Sequence, residues 1–281
     1  MRRLDQALVA RQLVSSRTMA TRHIQAGEVL VNQQRVTKPA TKVADNDTIE
    51  LTTSGPRFAS RAGHKLAGAL EAFPIEVADA RCLDAGASTG GFTDVLLRHG
   101  AKHVVAVDVG HDQLVPWLRS DPRVEVHEGL NVRYLTRDDI GAPVDIIVSD
   151  LSFISLRLVI QALVGVCKPE AQLVLMIKPQ FEIGRQKLPK TGVVVDPAQR
   201  RDAVLGVIEA AVHHGLAPQA ITASSLPGQD GNKEFFFWAT YKGNETHMQH
   251  CVDPAEWLDS QRVHWADANG GTPISTTRPS E

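Results

Sequence analysis

The chain has 281 residues, a formal net charge of −2 and 43% hydrophobic residues. That composition supports a packed core and excludes a disordered or collagen-like chain. No apolar run approaches the ~18 residues of a membrane-spanning helix. The near-neutral total hides an asymmetry: residues 1–65 carry 11 Lys and Arg against 5 Asp and Glu, net +6, while the remainder nets −8. A basic module on an acidic body suits a polyanion partner, and a solvated basic face without a partner is the plainer alternative.

Leu4, Leu8, Val9 and Leu13 recur at helical spacing. A second short helix fits Thr18–Ala26, with Ser16 or Arg17 near its start and Gly27 just past its end. Val29–Val31 reads as a strand, Asn32–Arg35 as a turn with its return at Val36, and Thr41–Leu51 as another short strand. Ser54-Gly55-Pro56 interrupts regular structure and reads as a linker. The basic start has no apolar stretch behind it, so no signal peptide is expected. Cys82, Cys167 and Cys251 are too few and scattered for a disulfide framework, and they read as reduced thiols of a cytoplasmic chain.

From Cys82 onward, strands alternate with helices. The strands are Arg81–Asp84, His103–Asp108, Val124–His127, Val144–Ser149, Leu173–Ile177, Ala217–Ser224 and Phe235–Tyr241; helices fill Thr93–His99, Ser155–Val166 and Ala198–His214. This pattern predicts an α/β fold, Rossmann-like, with a largely parallel sheet covered on both faces. Pro179–Val195 is basic and aperiodic and reads as a loop near the site. Gly270–Glu281 is rich in Gly, Thr, Ser and Pro and reads as a disordered tail.

Leu83-Asp84-Ala85-Gly86-Ala87-Ser88-Thr89-Gly90-Gly91 joins a strand to a helix. Glycines there let the backbone approach a ligand and aim helix N–H groups at it. The spacing is neither the dinucleotide fingerprint nor a Walker A loop. The next strand ends in Asp108, where a carboxylate accepts hydrogen bonds from ribose hydroxyls. A nucleoside ligand without pyrophosphate follows, and S-adenosylmethionine fits. A glycine turn that only packs helix on strand is the alternative.

Four charged residues sit where such a sheet delivers side chains to its cleft. Asp150 and Lys178 each follow a strand, Glu234 opens Phe235-Phe236-Phe237, and Lys65 lies in Ser60-Arg61-Ala62-Gly63-His64-Lys65-Leu66. The four residues resemble the Lys-Asp-Lys-Glu tetrad of FtsJ-type ribose 2′-O-methyltransferases. Together with Ser-Asp-Leu-Ser-Phe-Ile-Ser-Leu and Ile-Lys-Pro-Gln-Phe-Glu, the segments around them resemble the TlyA family, an S4 RNA-binding domain fused to an FtsJ-like domain and historically called hemolysins. The opening segment, with Ser15-Ser16-Arg17, Gly27–Asn32 and Asp47-Thr48-Ile49, is similar to the S4 domain.

The resemblance implies a small α+β S4-like domain over 1–53, a linker over 54–64, a Rossmann-like class I methyltransferase domain over 65–245 whose mostly parallel sheet has its last strand antiparallel, and a C-terminal extension over 246–281, expected to be partly disordered. It implies methyl transfer from S-adenosylmethionine to a ribose 2′-hydroxyl of 16S or 23S ribosomal RNA, or both. Lys178 would contact or deprotonate the hydroxyl, Asp150 would orient Lys178 beside the methyl donor, and Lys65 and Glu234 would steer the hydroxyl. A lysine accepts a proton only as the free amine, which burial favours and neighbouring carboxylates oppose. Asp84, Gly86, Ser88, Gly90, Asp108, Asn131, Asp150 and Phe153 are the candidate cofactor residues. Arg2, Arg3, Arg17, Arg22, Arg35, Lys38, Arg57 and Arg61 are the candidate RNA contacts. His247, His250 and Cys251 lack a matching second half for a metal site, and none is expected. Ribosomal RNA or ribosomal subunits are the expected partners, with no membrane. A non-catalytic assembly factor is opposed by the intact tetrad. A membrane-lytic protein is opposed by the lack of a basic amphipathic or spanning helix.

Overall fold

The computed structural model describes residues 2–11, 13–14, 17–25, 27–44, 46–51, 58–243 and 252–267. They fall into two compact units, Met1–Arg57 and Phe58–Glu281.

The small unit contains β1 (Arg2–Arg3), α1 (Leu4–Ala10), α2 (Arg17–Gln25), β2 (Val29–Val31), β3 (Gln34–Arg35), β4 (Lys42–Val43) and β5 (Ile49–Leu51). Leu4, Leu8, Ala20, Ile24, Val29 and Val43 close its core. Asn32 and Gln33 adopt φ of 50° and 65°, the left-handed pair that turns a tight hairpin. Thr41–Leu51 is two strands rather than the single one its sequence suggests: β4 pairs with β1, and β5 with β2. Asp47 breaks the run, because its carboxylate accepts the Ala44 N–H while Arg11 donates to the Ala44 and Asp47 carbonyls.

The large unit contains α3 (Ala62–Ala72), β6 (Arg81–Ala85), α4 (Gly91–Arg98), β7 (His103–Asp108), α5 (Pro116–Arg119), β8 (Val124–Glu128), α6 (Arg137–Ile140), β9 (Val144–Ser149), α7 (Ile160–Gly165), β10 (Cys167–Ile177), α8 (Pro179–Glu182), α9 (Pro197–His213), β11 (Leu216–Ala223), β12 (Phe235–Tyr241) and α10 (Pro254–Ser260). One sheet runs in the order β11-β12-β10-β9-β6-β7-β8. Neighbours from β10 to β8 are parallel, and β12 is antiparallel to both strands beside it. Alternate residues feed opposite cores: Leu83, Val105, Ile147 and Leu173 on one face, Cys82, Val104, Ile146 and Val174 on the other. Burial on both faces explains why these strands read as continuous apolar runs. It also pushes the Cys82 and Cys167 thiols up to about 12, which makes them inert packing groups.

Further elements differ from the sequence reading: short helices α5 and α6 form in stretches without an expected element, and α8 opens the Pro179–Val195 segment read as a loop. The helix α3 forms where the sequence pattern predicts no element. Its Gly63 and Gly68 weaken intrinsic propensity, and packing of buried Leu66 and Ala69 against the core supplies what propensity lacks. The strand β10 begins six residues early, at Cys167, and Glu170 at φ 65° lies in the irregularity between its two pairing stretches. Residues 252–267, within the extension expected to be partly disordered, carry α10 and pack Trp257 against Phe237 and Trp265 against Phe235. The large unit begins at Phe58, and residues 58–64 of the expected linker belong to it; the Ala59 N–H there donates to Asp94. His247, His250, Cys251 and Gly270–Glu281 lie outside the described residues.

The strand order reverses between β6 and β9, since the chain proceeds from β6 to β7 on one side and from β9 to β10 on the other. In open α/β sheets the crevice beyond the carboxyl ends at this switch point takes the ligand.

Candidate active site

Three strand ends and one helix converge on that crevice. Asp150 follows β9 and Lys178 follows β10. Because β12 runs antiparallel, its first residues stand at the edge where the parallel strands finish, and Glu234 precedes it there. Lys65 reaches the same place from α3. A cavity of about 600 Å³ is lined by Lys65, Asp150, Lys178 and Glu234, together with Gly86, Ser88 and Phe153.

The four charges form two pairs. Lys65 Nζ donates to Glu234 Oε2 at 2.5 Å, with side chains 10% and 3% exposed. Lys178 Nζ lies 2.6 Å from Asp150 Oδ1 as an ion pair without hydrogen-bond angles, and donates to Ser152 Oγ at 2.8 Å. Placing two ammonium groups in one cavity, each neutralised by its own carboxylate, leaves polar hydrogens aimed at a small space with little net charge.

The glycine loop is shaped by close approach. Gly86 has φ 90°, and a Cβ there would meet the Asp150 carbonyl at 3.0 Å. Gly90 has φ 96°, and a Cβ there would run into the side chains of Leu118 and Leu114. Beneath the loop, Asp84 is fully buried: Oδ2 accepts the Thr93 hydroxyl at 2.7 Å, while Oδ1 has no hydrogen-bond partner. Burial pushes its carboxyl up to about 7; the Thr93 hydrogen bonds oppose this, and Asp150 and Asp108 add to it. Asp108 accepts N–H bonds from Ser88 at 2.8 Å and Gly110 at 2.7 Å. The turn after β8 lies beside it, with the Leu130 N–H on the Asp108 carbonyl and the Asn131 side chain accepting from the Arg133 N–H at 3.0 Å. Asp84, Gly90, Asp108 and Asn131 do not line the cavity. Phe153, with φ 64°, stands 91% exposed at its mouth and packs on Phe181 at 5.2 Å.

Sequence reasoning missed the wall residues Ser152, Gln180 and Asn232, and Glu182 behind the wall. Ser152 and Gln180 line the cavity beside the tetrad. Buried Asn232 accepts the Val194 N–H at 2.9 Å and donates to the Gly192 carbonyl at 2.9 Å. Buried Glu182 accepts from Ser155 at 2.5 Å and from the Leu156 N–H at 2.8 Å, tying the chain after Phe153 to α8. Desolvation raises its pKa despite those bonds. The available signal was a polar residue two before Glu234 and an acid four after Lys178.

In the small unit, Arg2, Arg17, Arg22, Arg35 and Lys38 are exposed and Arg3 is half-buried. Arg3 and Arg17 donate to Asp5 at 3.0 and 2.9 Å, and Asp5 itself is 2% exposed. The Arg3 hydrogen bond, followed by that from Arg17, holds the Asp5 carboxyl below the usual range. Those two arginines are therefore committed as counterions of a buried carboxylate, unlike Arg22, Arg35 and Lys38. Arg61 belongs to the large unit and donates to the Pro227 carbonyl at 2.9 Å. Arg57 lies outside the described residues.

Residues 58–241 match the FtsJ-like methyltransferase model, and residues 2–49 match the S4 domain. The chain is 51% identical over 237 residues to the 16S/23S rRNA (cytidine-2′-O)-methyltransferase TlyA of Mycobacterium tuberculosis, covering 84% of this chain and 88% of that one. It is 39% identical to Hemolysin A of Brachyspira hyodysenteriae, covering 83% and 97%. A solved hemolysin-named protein of Streptococcus thermophilus superposes with TM-score 0.71 at 35% identity, covering 92% and 95%. By domain content, tetrad placement and these likenesses, the chain belongs to the TlyA family of S4-containing, FtsJ-like methyltransferases.

Proposed function

We propose that this chain transfers a methyl group from S-adenosylmethionine to a ribose 2′-hydroxyl of ribosomal RNA. The convergence of Lys65–Glu234 and Lys178–Asp150 on one cavity at the topological switch point carries the reading. The residues fit the cofactor. The glycine loop presents Gly86, Ala87 and Ser88 to the cavity beside Asp150, with Gly86 at a positive φ that L side chains rarely adopt. Asp108 ends its strand where ribose hydroxyls are held.

S-adenosylmethionine supplies, when bound, a methyl group on a sulfonium that accepts an incoming oxygen. The chain's own residues prepare that oxygen. Lys178, oriented by Asp150 and Ser152, contacts the hydroxyl, and it accepts the hydroxyl proton only after its own ammonium has given one up. Lys65, fixed by Glu234, donates to the same oxygen and leaves the attacking lone pair in line. Alignment of this kind is worth up to ~7–11 kcal/mol. Exposed Arg22, Arg35 and Lys38 on the small unit suit phosphate contacts, which position structured RNA. Among the described residues no helix is long and apolar enough to cross a membrane, and no cluster of His, Cys, Asp and Glu could hold a metal ion.

Incubation with methyl-labelled S-adenosylmethionine and naked rRNA, 30S or 50S particles tests the reading. Label should enter RNA in at least one of them. RNA that stays unlabelled in all three, with folded protein, would refute it.

A further inference from the structure

Residues 252–267 follow the matched methyltransferase span, yet they are tied to the cavity wall. Arg200, on the first turn of α9, is 1% exposed. Its Nε donates to the Val194 carbonyl at 2.8 Å, Nη1 to the Trp265 carbonyl at 2.8 Å and Nη2 to Asp267 Oδ2 at 3.1 Å. Val194 is thus held from both sides, by Arg200 at its carbonyl and by Asn232 at its N–H. Lys233, between Asn232 and Glu234, donates from Nζ to the His264 and Ala266 carbonyls at 2.7 and 2.6 Å. The Trp265 ring packs 5.2 Å from Phe235, the residue after Glu234. Residues 264–267 therefore grip two wall segments, 192–194 and 232–235.

We propose that this C-terminal strap is a positioning element of the active site, which through Arg200 and Lys233 fixes Glu234 against Lys65. The inference rests on the methyltransferase reading. Glu234 closes a stretch, 224–234, without helix or strand; its backbone is anchored on one side by β12 and by the Ser224 N–H on its carbonyl, and the segment before it is held by the Asn232 and Lys233 tethers. A buried guanidinium carries five N–H donors and a charge that must be matched. Without Trp265 and Asp267, Arg200 would lose its carboxylate and one of its carbonyls. A misplacement of about 1 Å at a reacting group can cost ~100-fold in rate, so partial loosening has a kinetic signature.

Two full-length variants, Lys233→Met and Asp267→Ala, test the proposal. Each should lower kcat about tenfold or more, with the S-adenosylmethionine Kd by calorimetry within about twofold of wild type. Amide exchange should quicken at 190–195 and 228–235 but not in β6 or α4. Lys233→Arg should restore most of kcat. Wild-type kcat in both variants would overturn the proposal, as would unchanged exchange at 228–235. A loss of cofactor affinity and melting temperature matching the loss of kcat would reduce the strap to a fold stabiliser and also overturn it. A wild-type chain that transfers no methyl would count against the methyltransferase reading instead, leaving the exchange data to decide the strap.

Discussion

Ile177 pairs with Phe235 across the antiparallel β10–β12 ladder. The residue beyond each, Lys178 and Glu234, therefore leaves the sheet at the same edge, although 56 positions separate them in the chain. One reversed strand thus brings an acid to a rim otherwise furnished by the ends of parallel strands.

Lys178 is assigned to the reacting hydroxyl. Lys178→Ala should reduce methyl transfer by about 10²–10⁴-fold, the usual range for a lost acid or base. Melting temperature and cofactor affinity should stay close to wild type. Near-normal turnover would remove Lys178 from the chemistry.

The Lys65–Glu234 pair lies inside the protein, 10% and 3% exposed. Lys65→Met leaves a buried carboxylate without its cation and should cost about 3–5 kcal/mol in urea unfolding. Adding Glu234→Gln should recover much of that stability but none of the activity. A single variant as stable as wild type would mean that the pair is not buried as described.

Asp84 makes a pH-dependent contribution with a definite sign. Its carboxyl titrates at about 7 in the folded chain against an ordinary 3.8. The folded state thus holds this proton more tightly than the unfolded state. The stability this gives is complete below about pH 4 and is lost as pH rises through about 7. Asp84→Asn should flatten that part of the stability–pH curve and weaken cofactor binding at neutral pH. Parallel curves for the two proteins would place the titration elsewhere.

The basic residues of the small unit should separate into two groups. Arg17→Gln removes a partner from buried Asp5 and should lower thermal stability. Arg22→Gln, Arg35→Gln or Lys38→Gln should leave melting unchanged. Each should instead reduce the logarithmic salt slope of RNA binding, by about 0.7–0.9 for every phosphate that the variant no longer neutralises. Salt slopes that ignore all three changes would move the RNA surface away from these residues.

Asp150, Lys178 and Glu234 and the glycine loop were legible because they are local signals: a charge directly after or before an apolar strand, and glycines where a strand turns into a helix; Lys65 stood out only through the resemblance of its segment, because it rides on α3. The mostly parallel sheet was legible from the same alternation. Asn232, Glu182 and Arg200 were not, because their partners are remote in sequence; Arg200 and Trp265 are 65 positions apart. Nor was α3, whose Gly63 and Gly68 argue locally against the helix that packing enforces. Arg3 and Arg17 read as surface cations because nothing local reveals that Asp5 is buried between them.

The central claim is that methyl goes to a ribose oxygen. A 2′-O-methyl group blocks alkaline cleavage of the adjoining phosphodiester, because that cleavage needs the free 2′-hydroxyl. Ribosomal RNA labelled by this protein with methyl-labelled S-adenosylmethionine should therefore release its label, after alkaline hydrolysis, in resistant dinucleotides. Label recovered only in mononucleotides would place the methyl group on a base and contradict the account.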